Sequence, residues 1–346
     1  MQVEVRNIYY LLCYAWEHFE ATELIDVSER SGSSPQELFA HVLHELARGL
    51  MRSGLDRGYV ATHEISTTLS GKLDVLGTLC VMDRGPPRVA CMPDLLTTDV
   101  LQNQIIKATI RALARMDPMD RKLRDALHGL VHQLQPVHDI DIDGSMFRAV
   151  QVRRNNWRYR FALNVCELVH RHTLIEQGTA RHRFHDFRGD NREMGLLFEA
   201  FVRRFWARHL PALKVSSRRM PWPVECDENA LAVLPEMRTD ISFRGRTGEG
   251  VVECKCVDAP LVPSRYGQPK LRAGHMYQLL SYLNALEAEG HVTAPGLLLY
   301  AVDDSEFDFQ FRVGEHPVRV RTVNLNVEWE QVHAHLMCIG DDLASA

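Results

Sequence analysis

A chain of 346 residues is long enough for two domains, and 45% apolar with 25% charged residues are the proportions of a folded protein, which excludes disordered and fibrous classes. The net charge of −5 gives no global sign of a nucleic-acid binder, yet charge is uneven: Arg148 to Arg219 holds 16 Lys/Arg against 6 Asp/Glu, a local excess of +10 that leaves −15 elsewhere. Such a basic segment can contact phosphates or form solvated helix faces.

The opening run VRNIYYLLCYAWEHF is apolar nearly all round and predicts a buried helix. Its core, Ile8 to Trp16, is too short to span a membrane and lacks a basic flank and a cleavage site, so no secretory signal is expected and the location is read as cytoplasmic. Ser34 and Pro35 offer a cap and a first-turn residue for a helix from Gln36 to about Arg52, with Leu38, Phe39, Val42, Leu43, Leu46 and Leu50 at helical spacing. From Tyr59 to Met92 the rhythm changes to short strand-like pieces, YVATHEIST, GKLDVLGTL and PRVACMP. Gly71-Lys72 lacks both the upstream glycine and the following Ser/Thr of a phosphate loop, so no nucleotide-hydrolysing site is expected. Helices are then predicted over Asp94 to Met116, Arg121 to Leu134 and Phe147 to Ile175. The eight cysteines are scattered, several within apolar runs, as reduced buried thiols are, and Cys254-x-Cys256 has no second pair at zinc spacing.

The segment RHRFHDFRGD, residues 181–190, has no periodicity and is taken as the approach to a second domain. His182 and His185 within it suit phosphate contact or packing better than a metal, for want of further ligands. Asn191 to His209 is strongly helical, with Met194, Leu197, Phe198, Phe201, Val202 and Phe205 as its apolar stripe. Strands are expected near Lys214 to Arg219 and Ala230 to Leu234, a helix over His275 to Leu286, a buried strand over Gly296 to Val302, and a strand-helix pair over Val318 to Leu336. The order α-β-β-β-α-β gives an α/β domain over 181–346, a mixed central sheet flanked by helices, after an α+β domain over 1–180.

Between Leu234 and Cys256 the chain reads LPEMRTDISFRGRTGEGVVECKC. Asp240 heads one strand-like run, and the returning run carries Glu253-Cys254-Lys255. Strand side chains alternate, so Glu253 and Lys255 share a face while Cys254 and Cys256 take the other. Two carboxylates and a lysine suit a divalent cation and phosphodiester hydrolysis, the pattern of a PD-(D/E)xK nuclease core. Asp240 and Glu253 supply oxygen ligands to Mg²⁺, for which Mn²⁺ can substitute, and the backbone carbonyl of Cys254 is a further ligand candidate. Lys255 would sit by the attacking water and scissile phosphate. The competing reading is cross-strand ion pairing, against which the apolar company of Val251, Val252, Cys254 and Cys256 argues. Glu199 stands four residues before Arg203, so both a metal contact and an ordinary ion pair fit it. Gln278 and Tyr282, also four apart, share a helix face and can reach one site.

These residues resemble the McrC family, nuclease subunits of 5-methylcytosine-specific (McrBC-type) restriction systems, over nearly the whole chain. The markers are VRNIYYLLCYAW, LSGKLDVLGTL, LQNQIIKATI, HDFRGD before EMGLLFEAF, LPEMRTDI with ECK, YQLLSYL and GLLLY. The resemblance puts Asp240, Glu253 and Lys255 in the catalytic places, with Glu where the family commonly has Asp. It makes Gln278 and Tyr282 the Q-x-x-x-Y element of RecB-like nucleases. It further implies DNA as substrate and a hexameric AAA+ GTPase as partner, which binds the GTP itself, touches the N-terminal region and is stimulated by this chain. Residues 59–92 are the candidate inserted finger. The alternatives are a non-catalytic stalk for the motor with a vestigial nuclease fold, or a RecB-like DNA repair nuclease.

Overall fold

The computed structural model describes residues 3–24, 34–82, 88–153, 155–175, 182–246, 248–264 and 267–345. The chain divides into two compact units, Met1–Ser34 with Asp186–Ala346, and Pro35–His185. The division expected after residue 180 thus differs at both ends. The opening helix α1 (Val5–Ala15), followed by the short α2 (Ala21–Leu24), belongs with the C-terminal residues. The reason is chemical. Asn7 is wholly buried on α1, and its side-chain amide donates to the carbonyls of Leu325 (2.9 Å) and Val327 (2.7 Å), while Tyr14 bonds His209 at 2.7 Å. An apolar helix tied by a buried amide to the far end of the chain cannot leave it without stranding both groups.

The unit Pro35–His185 is built on four helices, α3 (Pro35–Ser53) and, further along, α5 (Leu101–Ala114), α6 (Arg121–Gln133) and α8 (Trp157–Arg171). Before α5 lie β1 (Gly58–Ala61), β2 (Glu64–Ser66), β3 (Lys72–Leu73), α4 (Val75–Met82), β4 (Val89–Met92) and β5 (Asp94–Thr97). They form a lobe in which β1 pairs with β5, and β4 lies between β2 and β3. Two expectations change here. Val75 to Met82 is helical because the Asp74 carboxylate caps the Gly77 amide at 3.0 Å, and Asp94 to Thr97 is a strand because β1 pairs with it, so the helix starts only at Leu101. The three polar residues that open α5 are structural: Gln104 bonds Asp99, Gln102 bonds Asp56, and Asn103 reaches the carbonyls of Asp56 and Thr98. The long helix expected from Phe147 breaks into α7 (Gly144–Ala149) and α8, followed by β6 (Thr173–Ile175), which pairs with β7 (His182–Phe184). Between α7 and α8 lies QVRRNN, whose adjacent asparagines, Asn155 and Asn156, compete for backbone hydrogen bonds and are poor helix interior.

In the other unit, DFRGD folds around a 3-10 turn, Phe187–Gly189. Asp186 holds Arg188, Phe187 is buried, and Asp190 caps α9 (Asn191–His209) through the amides of Arg192 and Glu193. The chain continues through β8 (Lys214–Ser216), β9 (Arg219–Met220), α10 (Glu228–Ala232), β10 (Met237–Arg238), β11 (Ile241–Arg244), β12 (Glu249–Cys256), β13 (Leu261–Ser264), β14 (Gly267–Leu271), α11 (Ala273–Ala288), β15 (Gly296–Val302), β16 (Asp308–Val313), β17 (His316–Asn324) and α12 (Trp329–Ser345). The strand expected over Ala230 to Leu234 is instead the helix α10, capped by Asp227 on the amide of Ala230. Six strands form one mixed sheet, ordered β16-β17-β15-β12-β11-β8, in which β12, β15 and β17 are parallel and the remaining pairings antiparallel.

The crossover helix α11 covers one sheet face with Leu279, Tyr282, Leu283 and Leu286 against Val251, Leu298, Tyr300 and Val320. On the other face α9 lies over β12 and is tied to α12 by the Trp206 indole, which donates to the Leu336 carbonyl at 2.9 Å. Gly250 lets Phe243 of β11 and the Pro295 carbonyl close in, for a Cβ there would stand 2.4 Å and 2.5 Å from them. No described helix is long and apolar enough to cross a membrane.

Candidate active site

The central strand β12 is buried over most of its length and pairs with β15 along Val251 to Cys256, but β11 accompanies it only from Glu249 to Val252. Residues 253–256 therefore run past β11 with one edge unpaired by it. Asp240, immediately before β11, fills the gap: its Oδ2 accepts the backbone N–H of Cys254 at 2.8 Å. Glu253 lies on the face covered by α11 and is completely buried. Lys255, two residues on and on the same face, donates from Nζ to Glu253 Oε1 at 2.5 Å and to Gln278 Oε1 at 2.9 Å.

Gln278 in turn donates to the Tyr282 hydroxyl at 3.2 Å, and that hydroxyl donates to the carbonyl of Arg238 at 2.7 Å. The order Lys255, Gln278, Tyr282, Arg238 thus links β12 through α11 to the segment that carries Asp240. Tyr282 is buried, so its phenol holds this segment rather than reaching outward. Glu199 is half-buried and gripped by Arg203 at 2.6 Å, and the same arginine donates to the Asp240 carbonyl at 2.9 Å. Both roles that fit Glu199 thus bear on one place. It pairs with Arg203, and its charge is felt at Asp240 and Glu253. The Cys254 contact made to Asp240 uses the amide N–H; its carbonyl lies on the same peptide-bonded run, between Glu253 and Lys255.

Electrostatics follow from burial. Glu253 is pushed up to about 8, first by loss of solvation and then by the neighbouring Asp240 charge, with Lys255 opposing. Asp240 is raised to about 6 by burial and Glu199, against the Cys254 amide, Lys255 and Arg203. The two carboxyls titrate as a pair. One oxygen, Glu253 Oε2, is buried with no hydrogen-bond partner. Two raised carboxyls with an orphaned oxygen are what a bound cation would satisfy, and oxygen donors of this kind suit Mg²⁺ or Mn²⁺. Among the described residues no three His, Cys, Asp or Glu side chains converge as a complete metal cage. Magnesium sites need none, because water and substrate phosphate complete the shell.

A family model described as McrBC 5-methylcytosine restriction system component matches residues 4–301. The chain belongs to that family. It is similar to the type IV methyl-directed restriction enzyme EcoKMcrBC of Escherichia coli (strain K12), 27% identical over 341 residues covering 98% of each chain. Among solved structures it is similar to a chain of the half-complex from the tetradecameric assembly of Thermococcus gammatolerans McrB AAA+ hexamers with bound McrC. The TM-score is 0.60 and the identity 18%, over 97% of this chain and 76% of that one, a likeness of fold. The McrBC family assignment agrees with the sequence markers, and the mixed α/β sheet agrees with the architecture read from them.

Asp240, Glu253, Lys255, Gln278 and Tyr282 stand together in this McrBC-family chain, while His185 is exposed in the other unit and its amide donates to the His172 carbonyl. The side chain of His182 lies outside the described part. Two neighbours of the site, His275 and Tyr300, were not singled out from sequence, and Arg203 was read there only as the ion-pair partner of Glu199. His275 had a readable signal, since it precedes Gln278 by three residues and Tyr282 by seven, one helix face. Tyr300 had none within its apolar run, because only the parallel register sets it opposite Lys255.

Proposed function

We propose that this chain is the DNA-cutting component of a methylation-dependent restriction system, a PD-(D/E)xK endonuclease that works with an AAA+ GTPase. The observation that carries the reading is the wholly buried Glu253, one carboxylate oxygen unpartnered, set beside Asp240 and bonded to Lys255. Burying an acid this way costs free energy that a packing role would not repay.

Asp240 and Glu253 would hold the divalent cation, with the Cys254 carbonyl as a further donor, and Glu199 would act on it by charge or through water. When bound, the ion polarises the phosphodiester and lowers the pKa of water. Lys255, kept in place by Gln278, offsets negative charge developing on the phosphate. Tyr282 and Arg203 fix the backbone on either side of Asp240, so the carboxylate is presented at a set angle.

The lobe of residues 58–97 supports a docking role for the GTPase. Tyr59, Ile65, Leu69, Val75, Leu76, Leu79 and Leu95 are all more than half exposed there, a concentration of apolar surface that marks an interaction site. The half-complex similar to this chain pairs McrC with McrB AAA+ hexamers. In this reading GTP belongs to the partner.

The decisive measurement is cleavage of methylated and unmethylated DNA with Mg²⁺ and GTP, with and without the partner GTPase. Asp240→Ala is expected to abolish cutting, a loss of at least about a thousandfold, while still stimulating GTP hydrolysis. Full cleavage by Asp240→Ala would overturn the nuclease reading. Stimulated GTP hydrolysis without any cutting by the unaltered chain would favour a non-catalytic stalk.

A further inference from the structure

On the face of α11 that meets β12, His275 stands one turn before Gln278 and two before Tyr282. It is half-buried, and its Nδ1 lies 2.9 Å from the Tyr300 hydroxyl. Tyr300 is fully buried on β15 and pairs in register with Lys255 of β12, so the imidazole is anchored alongside the site lysine. Lys255 is also among the charges acting on His275.

The hydrogen bonding then fixes the tautomer. A fully buried phenol must place its proton on an acceptor, and the partner of the Tyr300 hydroxyl is His275 Nδ1. The phenol is pushed up to about 12 by burial, so it remains a donor at every relevant pH. With Nδ1 accepting, the neutral ring carries its proton on Nε2. Burial and the positive charges of Lys255 and Arg272 keep the ring neutral, lowering it to about 4. Such a ring can neither ligate a metal through Nε2 nor take a proton there. It can only donate one hydrogen bond.

We propose that His275 is a DNA-positioning residue, its Nε2–H donating to a non-bridging phosphate oxygen of the strand bound at Lys255. The inference rests on the nuclease reading for the identity of the ligand. A phosphodiester oxygen is an acceptor only, and a neutral donor adds directionality without competing with the Glu253–Lys255 pair. Tyr300 acts through His275 by locking ring and tautomer.

Two measurements test this. The first is the side-chain ¹⁵N spectrum of histidine-labelled protein, with His275 assigned by its absence in His275→Gln. A protonated Nε2 and bare Nδ1 are expected, and the opposite tautomer overturns the proposal. The second is anisotropy of a fluorescent duplex of about 30 base pairs in EDTA at low salt, where no cutting occurs. His275→Ala is expected to bind about tenfold more weakly, the loss of one hydrogen bond to a charged acceptor. His275→Gln, whose amide places an N–H near the same point, is expected within about threefold of wild type. Tyr300→Phe should fall between them at an unchanged melting temperature. Wild type that does not bind, His275→Ala that binds like wild type, or His275→Gln as weak as His275→Ala would each overturn it. Wild type that binds in this way yet never cuts with Mg²⁺ and partner would defeat the nuclease reading alone.

Discussion

At the scale of residues, the candidate site is held under tension by its own carboxyls. The raised value of Glu253 means that the folded chain keeps a proton which the unfolded chain releases near 4.5. In the absence of a cation the native state binds more protons than the unfolded one between those values, so stability is greatest below about 4.5 in this respect and declines as pH rises through 8. Glu253→Gln carries no such charge. It is expected to melt roughly 3–8 °C above wild type at pH 8.5 in EDTA, to match it at pH 4.5, and to lose the stabilisation that Mg²⁺ gives wild type. Equal melting of the two proteins at pH 8.5 would contradict a penalty from burial. Alternation along β12 made the shared face of Glu253 and Lys255 legible in the sequence, since a period of two leaves no choice. The amide of Cys254 reaching Asp240, the Arg203 contact and the Tyr300 anchor were not legible there, because each depends on how far neighbouring strands and helices extend.

At the scale of elements, long periodic segments declared themselves and short exposed ones did not. The nineteen residues of α9 and the seven of β15 follow their apolar patterns, and burial enforces them. By contrast β16 and the β13–β14 hairpin are largely exposed, so no apolar period marks them, and Pro263 and Pro269 read as loop. The segments 75–82 and 228–232 became helices through capping by Asp74 and Asp227, side-chain bonds that outweigh a short β-like composition. Glycine tells the same story within β12. Gly250→Ala must displace both Phe243 and the Pro295 carbonyl, and is expected to destabilise the protein by about 1–3 kcal/mol in urea titration. A loss within about 0.3 kcal/mol of zero, the error of such a titration, would show that the β11–β12 pair yields more easily than its packing implies.

At the scale of the whole molecule, two units divide the proposed labour: one holds the buried carboxyls, the other the exposed apolar lobe. Paired substitutions should separate them. Leu76→Glu with Leu79→Glu changes side chains 77% and 60% exposed, so folding stability is expected to stay within about 0.5 kcal/mol. Under the proposed docking role, stimulation of the GTPase should fall by about tenfold or more, a loss of about 1.4 kcal/mol or more in coupling. Unchanged stimulation would move the contact elsewhere. Nothing in the sequence placed α1 with the C-terminal residues, because periodicity reports that a helix is buried and not against what.

The bond from Asn7 to Leu325 spans 318 residues and so has a history as well as a geometry. During synthesis at about 5–20 residues per second, α1 emerges roughly 15–60 s before its partner carbonyl exists. The unit of residues 35–185 is complete in the meantime, while the apolar surface of α1 remains without its cover. On the nuclease reading, the site residues from Glu199 to Tyr300 are all made before β17 and α12 arrive to complete the sheet and its cover.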